Sequence, residues 1–157
     1  MTTINRSALV EYSAEQMFDL VNDIPNYPKF MQGCRSAVIV SQSEDELVGE
    51  LCLAKAGISQ RFTTRNQLQR PTLINMSLVE GNFSNFQAQW KFEALTESAC
   101  KISLRMEFEF KSGLVDFAAG KLFSNSANNL VDAIVDRAKQ VYKTGSGSGN
   151  RKGAGND

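Results

Sequence analysis

The chain has 157 residues, of which 42% are hydrophobic and 22% are charged, and these proportions are typical of a single globular domain. Its 17 Lys and Arg residues balance its 17 Asp and Glu residues, which argues against a globally basic DNA-binding protein. The chain contains no histidine. This excludes Ser-His and Cys-His nucleophile pairs, an imidazole general base and His-ligated zinc sites, and with them most hydrolases and metalloenzymes.

The cysteine content and the two ends of the sequence predict where the protein resides. Cys34, Cys52 and Cys100 are too few and too widely spaced for a disulfide framework or a tetrahedral zinc set, so we expect reduced, apolar, at least half-buried side chains. No secretory signal or membrane span of roughly 18 apolar residues is found, which predicts a cytoplasmic protein. Residues 144–157 are rich in Gly and Ser, so we expect a disordered tail after one folded domain at 1–143.

Hydrophobic periodicity predicts the order of the secondary-structure elements. A strand over 4–10 precedes a helix that opens on a capping box formed by Ser13 and Gln16, and a second short helix covers 27–32. Strands are expected at 35–43, 47–56, 59–69, 73–79, 86–95 and 99–110, where apolar residues alternate between turn signals. From residue 114 the period of 3.6 predicts one helix of about 28 residues, roughly 42 Å long.

This order of elements predicts an α+β fold. A curved seven-stranded antiparallel sheet that wraps around the long C-terminal helix, with two short helices after the first strand, is the economical way to bury both apolar faces. The last predicted strand supports a sheet with one buried face, because Ile102, Leu104 and Met106 alternate with Lys101 and Arg105.

The space between such a sheet and helix is either a filled core or a cavity for a hydrophobic ligand. Ten Phe and five Met residues accompany a single Trp, and such side chains suit either outcome. Thr64 and Asn66 share the inward face of Phe62 and need hydrogen-bond partners. A ligand's polar head or a trapped water would supply them, or Asn66 lies at a bulge or rim and bonds to the backbone. The residues expected to line a cavity are Tyr27, Phe30, Phe62, Asn66, Met76, Phe86, Trp90, Met106, Phe108 and Phe117.

A second feature is a stretch without acidic residues between Leu51 and Val79. It predicts a local positive stripe that would dock a phosphate backbone or an anionic membrane surface. An ordinary solvated strand face is the alternative. The cations in question are Lys55, Arg61, Arg65 and Arg70.

Four stretches of the chain resemble a known family, the bacterial ribosome association toxins, which are similar in turn to the coenzyme-Q-binding proteins of the START (StAR-related lipid transfer) superfamily. The resemblance runs from about residue 4 to residue 142, and the Gly-rich tail departs from the family pattern. The stretches are Leu20-Val-Asn-Asp-Ile-Pro-Asn-Tyr27-Pro28-Lys-Phe30-Met-Gln-Gly-Cys34, Lys55-Ala-Gly-Ile-Ser59, Phe62-Thr-Thr-Arg-Asn66, and Glu80-Gly-Asn-Phe83 followed by Trp90-Lys-Phe92.

The resemblance implies a helix-grip fold of the START/Bet v 1 type, in agreement with the element order, and two functions. Bacterial members are implied to bind the large ribosomal subunit and block its association with the small one. Mitochondrial relatives are implied to hold ubiquinone in the cavity and support respiration. No catalytic residues carry over, so we expect a non-enzymatic protein that requires no cofactor.

We therefore hypothesise a translation inhibitor whose Lys55, Arg61, Arg65 and Arg70 contact ribosomal RNA phosphates. The alternative is a carrier of ubiquinone or another isoprenoid or lipid, held in the cavity. An enzyme of the polyketide-cyclase kind on the same fold is a third hypothesis, for which the sequence offers no acid–base pair.

Overall fold

The computed structural model describes residues 1–111 and 117–142. Within them, one antiparallel sheet of seven strands has the order β1-β7-β6-β5-β4-β3-β2. The strands are Thr2–Val10 (β1), Cys34–Gln42 (β2), Glu46–Lys55 (β3), Ile58–Gln69 (β4), Leu73–Glu80 (β5), Phe83–Thr96 (β6) and Ala99–Phe110 (β7). The α-helices are Ala14–Val21 (α1), Phe117–Asn128 (α2) and Leu130–Tyr142 (α3), and a 3₁₀ helix spans Ile24–Lys29.

The core lies between the concave face of the sheet and the helices. On β7, Ile102, Leu104 and Met106 are buried while Lys101 and Arg105 are exposed, so the predicted alternation is confirmed. The α+β fold, with a curved antiparallel sheet closed by C-terminal helices, is confirmed with it. All three cysteines are free and buried, as expected.

The segment after β1 begins as predicted and then differs. Ser13 Oγ accepts a hydrogen bond from Gln16 N at 3.1 Å, and Gln16 Oε1 accepts one from Ser13 N at 2.9 Å, which confirms the capping box. The second helix is a 3₁₀ helix that begins at Ile24, three residues earlier than predicted. Pro25 explains the difference, because its fixed φ favours the first helical positions while Pro28 keeps the helix short.

The prediction of one long C-terminal helix is wrong, because the chain forms α2 and α3 with a break at Asn129. Asn129 Nδ2 donates to the Asn125 carbonyl at 2.8 Å, a side-chain bond of the kind that competes with the helical backbone. Arg6 Nη1 donates to the Asn128 carbonyl at 2.9 Å and lies 3.3 Å from the Asp132 carboxylate. Arg6 therefore holds the junction from β1.

Periodicity could not reveal this break because the apolar stripe runs through it. Ala127, Leu130 and Val131 are all buried, so both helices present one continuous face to the sheet. Residues 114–116 of the predicted helix, and the tail expected to be disordered at 144–157, lie outside the described residues.

Candidate ligand cavity and cationic surface

A largely enclosed cavity lies between the concave face of the sheet, the end of α1, the 3₁₀ segment and the α2–α3 junction. Its volume is about 50 Å³. A water molecule needs roughly 10–15 Å³ by this measure, whereas drug-sized ligands occupy pockets of roughly 300–1,000 Å³. The cavity thus has room for a few waters, and an isoprenoid quinone would enter only if a wall moved outwards.

Seven of the ten residues predicted to line a cavity do line it. They come from the 3₁₀ helix and from β4, β5, β6 and β7, whose inward faces meet under the helices. These residues are Tyr27, Phe62, Asn66, Met76, Phe86, Trp90 and Met106.

The remaining three predicted residues lie elsewhere. Phe30 does not line the cavity, and the centroid of its ring lies 5.2 Å from that of Tyr27. The Arg137 guanidinium lies 5.6 Å from the same Phe30 centroid. Phe108 is buried in the core and does not line the cavity, but its ring centroid lies 4.9 Å from that of Phe123, which does. Phe117 begins α2 and is 85% exposed, because the side of α2 that carries it faces away from the sheet.

Twelve further residues line the cavity, six of them on β3 or around the α2–α3 break and four between the end of α1 and residue 31. On β3 the outward-facing Val48 and Cys52 are buried as well, although that face also carries Glu46 and Glu50, so burial on this strand does not follow a simple alternation. The helix break was not predicted at all. The missed residues are Val21, Asn22, Ile24, Met31, Gly49, Leu51, Leu53, Thr64, Ile74, Phe123, Ala127 and Leu130.

Polar groups at the cavity are partly satisfied by the protein itself. Thr64 Oγ1 donates to Asn66 Oδ1 at 2.9 Å, with both residues buried. The Tyr27 hydroxyl donates to the Val21 carbonyl, and burial raises the pKa of Tyr27 well above its usual value. Asn22 Oδ1 is buried with no hydrogen-bond partner among the described residues. The cavity lining thus contains one unpaired acceptor and one hydrogen-bonded pair of a hydroxyl and an amide, to which an entering polar head could bind.

The arginines of β4 are not a bare positive stripe. Arg61 lies 3.6 Å from the Glu50 carboxylate and Arg65 lies 3.4 Å from that of Glu46. Both glutamates belong to β3, which pairs with β4 along its length. The stretch without acidic residues in the sequence therefore lies beside glutamates in the sheet, so Arg61 and Arg65 belong to a surface of both signs, and their contact with phosphates stays a prediction.

The other two predicted cations, Arg70 and Lys55, differ in whether a carboxylate pairs with them. Arg70 makes two hydrogen bonds to Asp19, with Nε to Oδ1 at 2.9 Å and Nη2 to Oδ2 at 2.8 Å. Lys55 stands at the end of β3, and no ion pair is found for it among residues 1–111 and 117–142. Of the four predicted contacts, Lys55 therefore carries the charge that remains available to a partner.

Sequence comparisons give both a family and near relatives. The polyketide cyclase / dehydrase and lipid transport family matches residues 10–135. The chain is 49% identical over 142 residues to the ribosome association toxin RatA of Vibrio cholerae, covering 90% of this chain and 99% of the relative. It is 44% identical to RatA of Escherichia coli, covering 90% of each. It is 25% identical to the mitochondrial coenzyme Q-binding protein of Drosophila melanogaster, covering 87% of this chain and 55% of that protein.

Solved structures with low sequence identity share the fold. An aromatase/cyclase from Streptomyces is similar with a TM-score of 0.78 at 16% identity, covering 93% of this chain and 98% of that one. A START superfamily protein from Mycobacterium smegmatis has a TM-score of 0.71 at 19% identity, covering 88% and 98%. The expected helix-grip fold is confirmed. In the part of the chain that the structure describes, no helix is long and apolar enough to cross a membrane.

Proposed function

We propose that this chain, which belongs to the ribosome association toxin family within the polyketide cyclase / dehydrase and lipid transport family, binds the large ribosomal subunit and blocks its association with the small subunit. The observation that carries the proposal is the similarity to the Vibrio cholerae toxin over almost its whole length. A ribosomal partner would place the protein in the cytoplasm.

The chemistry of the cavity supports a non-enzymatic role. Among the described residues that line it, Tyr27 is the one titratable side chain, and its hydroxyl is engaged by the Val21 carbonyl. General acid–base catalysis needs a group that exchanges a proton near neutral pH, and a tyrosine whose pKa is raised by burial is poorly suited to this. Binding, without turnover, is the activity that these residues support.

Sedimentation with isolated subunits tests the ribosome proposal. The purified protein is mixed with large and small subunits and separated on a sucrose gradient at low and high salt. We expect the protein to migrate with the large subunit at low salt and the assembled-ribosome peak to shrink. Contacts to phosphates would make this migration salt-sensitive. Protein that remains at the top of the gradient at both salt concentrations would overturn the proposal.

A second candidate function is the binding of ubiquinone or a related isoprenoid in the cavity. It is favoured by the apolar lining, by the unpaired Asn22 acceptor in that lining, and by the distant coenzyme Q-binding relative. Because the volume is only about 50 Å³, binding would require the α2–α3 segment or the 3₁₀ segment to move.

Trp90 provides the assay for this candidate, since it lines the cavity and is the single tryptophan of the chain. A short-chain ubiquinone that enters the cavity should quench its fluorescence saturably. Ala127→Leu would partly fill the cavity from α2 and should weaken the quenching, whereas Leu95→Ala on the exposed end of β6 should not. Equal, non-saturating quenching in all three proteins would rule the candidate out.

A further inference from the structure

An open groove lies between α2 and the turn that joins β3 to β4, and it shares no lining residue with the cavity described above. We call it the α2–turn groove, and its volume is about 520 Å³. The β3–β4 side carries Lys55 and the α2 side carries Phe117, Lys121 and Asn125, with Gln32 at one end.

The aromatic ring of this groove is fully presented to solvent. Phe117 is 85% exposed, more than any other large hydrophobic residue that is exposed within the described ranges. The Lys121 ammonium, one helical turn further along α2, lies 5.9 Å from the centre of its ring. An exposed ring beside a fixed cation is the arrangement on which nucleobases stack while their phosphates are neutralised.

Within the described part of the chain, the charges of the groove have no partner of opposite sign. Among its described lining residues none is Asp or Glu, and neither Lys55 nor Lys121 forms an ion pair in the described part of the chain. Arg61 and Arg65 on the sheet each face a glutamate. A phosphate that approaches the two lysines breaks no existing ion pair, whereas one that approaches the arginines must compete with a carboxylate.

The turn beside Lys55 leaves space for a bulky partner. Ala56 and Gly57 have φ values of 53° and 83°, which describes a tight two-residue hairpin turn, and an added Cβ at Gly57 would meet nothing within 4 Å.

At the floor of the groove, the Ser126 hydroxyl is 1% exposed and has no hydrogen-bond partner among the described residues. The exposed carboxamides of Gln32 and Asn125 can both donate and accept.

From these features we infer that the α2–turn groove binds a single-stranded segment of RNA, an assignment that rests on the ribosome function proposed above. Phe117 is the stacking platform, Lys55 and Lys121 contact the flanking phosphates, and the two carboxamides face the base edges. An anionic membrane is the weaker candidate, because surface-seeking segments expose several large apolar side chains, whereas this groove exposes one ring between amides and ammonium groups.

Fluorescence anisotropy with a labelled single-stranded oligoribonucleotide tests the groove directly. We expect Phe117→Ala to weaken binding about tenfold, in line with the loss of one base stack. The double variant Lys55→Ala and Lys121→Ala should reduce the salt slope of the binding constant by about 1.4, at roughly 0.7 per phosphate contact on a single strand.

Control variants remove two lysines or one exposed apolar side chain elsewhere on the surface. Lys91→Ala combined with Lys101→Ala removes two exposed lysines from the outer sheet face, and Leu95→Ala removes an exposed apolar side chain. These controls should bind RNA as the unaltered protein does. Equal losses in the control and groove variants, or a loss confined to an Arg61→Ala and Arg65→Ala double variant, would overturn the inference.

The same variants on the subunit gradient separate the two proposals. If the unaltered protein migrates with the large subunit and the groove variants migrate equally well, the groove inference fails while the proposed function stands. If the unaltered protein binds the oligonucleotide through the groove but no subunit, the proposed function fails while the groove inference stands. Variants that lose binding to phosphatidylserine vesicles and keep full RNA binding would identify a lipid surface and overturn the inference.

Discussion

Replacing Phe123 with alanine should remove the residue that fastens α2 to the sheet. Phe123 is 2% exposed, and it lies at the centre of an aromatic cluster. Its ring centroid is 4.9 to 6.4 Å from five others, those of Phe62, Phe83, Phe86, Phe108 and Phe110.

The magnitude follows from this packing. A buried Phe→Ala change typically costs about 3–5 kcal/mol, and the cost is largest where neighbours cannot collapse into the space. Here the neighbouring rings are fixed to three strands of the sheet, β4, β6 and β7, so we expect about 4 kcal/mol, a large part of the roughly 5–15 kcal/mol that stabilises an ordinary domain. Phe123→Leu keeps most of the volume and should cost less than about 1.5 kcal/mol.

Urea unfolding measures both variants. Trp90 fluorescence and far-ultraviolet circular dichroism are recorded together, because Trp90 lines the cavity that Phe123 also borders and its signal alone could report a local change. A loss below about 1 kcal/mol for the alanine variant, or equal losses for the two variants, would refute the view that this ring anchors α2.

Four further predictions concern single sites. Ser126→Ala should leave the free energy of unfolding unchanged or raise it by about 1 kcal/mol, because it removes a buried hydroxyl without a partner; a loss of similar size in urea would contradict this. Gly33→Ala should cost about 1–2 kcal/mol, because Gly33 has a φ of +81° and its new Cβ would lie 2.8 Å from Ser126 Oγ; an unchanged urea midpoint would contradict that conformation. Ala56→Asn should stabilise by about 0.5–1 kcal/mol, since asparagine tolerates the φ of 53° better than alanine; a thermal melt without any rise in Tm would argue against the turn. Burial raises the pKa of the Cys34 and Cys100 thiols from 9.0 to about 11. Between pH 9 and pH 11 the unfolded chain therefore binds fewer protons than the folded protein, and the free energy of unfolding should fall as pH rises. Cys34→Ala should make that fall shallower, and a free energy of unfolding that stays constant across this pH interval would count against the burial of the thiols.

Most of the fold was predictable because its local signals agree with its tertiary environment. The alternation of Ile102, Leu104 and Met106 on β7 corresponds to one buried and one exposed face. The capping box at Ser13 is a local interaction that forms as its sequence indicates. The helix break at Asn129 was not predictable from periodicity, because the apolar stripe runs through it, and Arg6, which contacts the junction, lies more than 120 residues away in the sequence.

In the candidate sites too, local patterns were predictable and contacts between distant parts of the sequence were not. Inward-facing residues of regular strands such as Phe62 and Trp90 were assigned correctly to the cavity. The charges of Arg61 and Arg65 were not understood from the sequence, because their partners belong to β3, and strand pairing brings together residues that a linear stretch keeps apart. Phe117 was assigned to the interior from its helical spacing, yet it faces solvent, since spacing alone does not show where the apolar face of a helix ends.

The pairing of β1 with β7 has a consequence for the order of folding. Thr2 lies opposite Phe108 and Val10 opposite Cys100, so the first strand to be synthesised finds its partner only after about a hundred further residues. Closing so long a loop is entropically costly, and topologies rich in such distant contacts fold slowly. The remaining strands pair with their neighbours in the sequence and can form as successive β-hairpins. During synthesis, the edge of β7 therefore stays unpaired until β1 docks, and neither the cavity nor the α2–turn groove has all its walls before the C-terminal helices have been made.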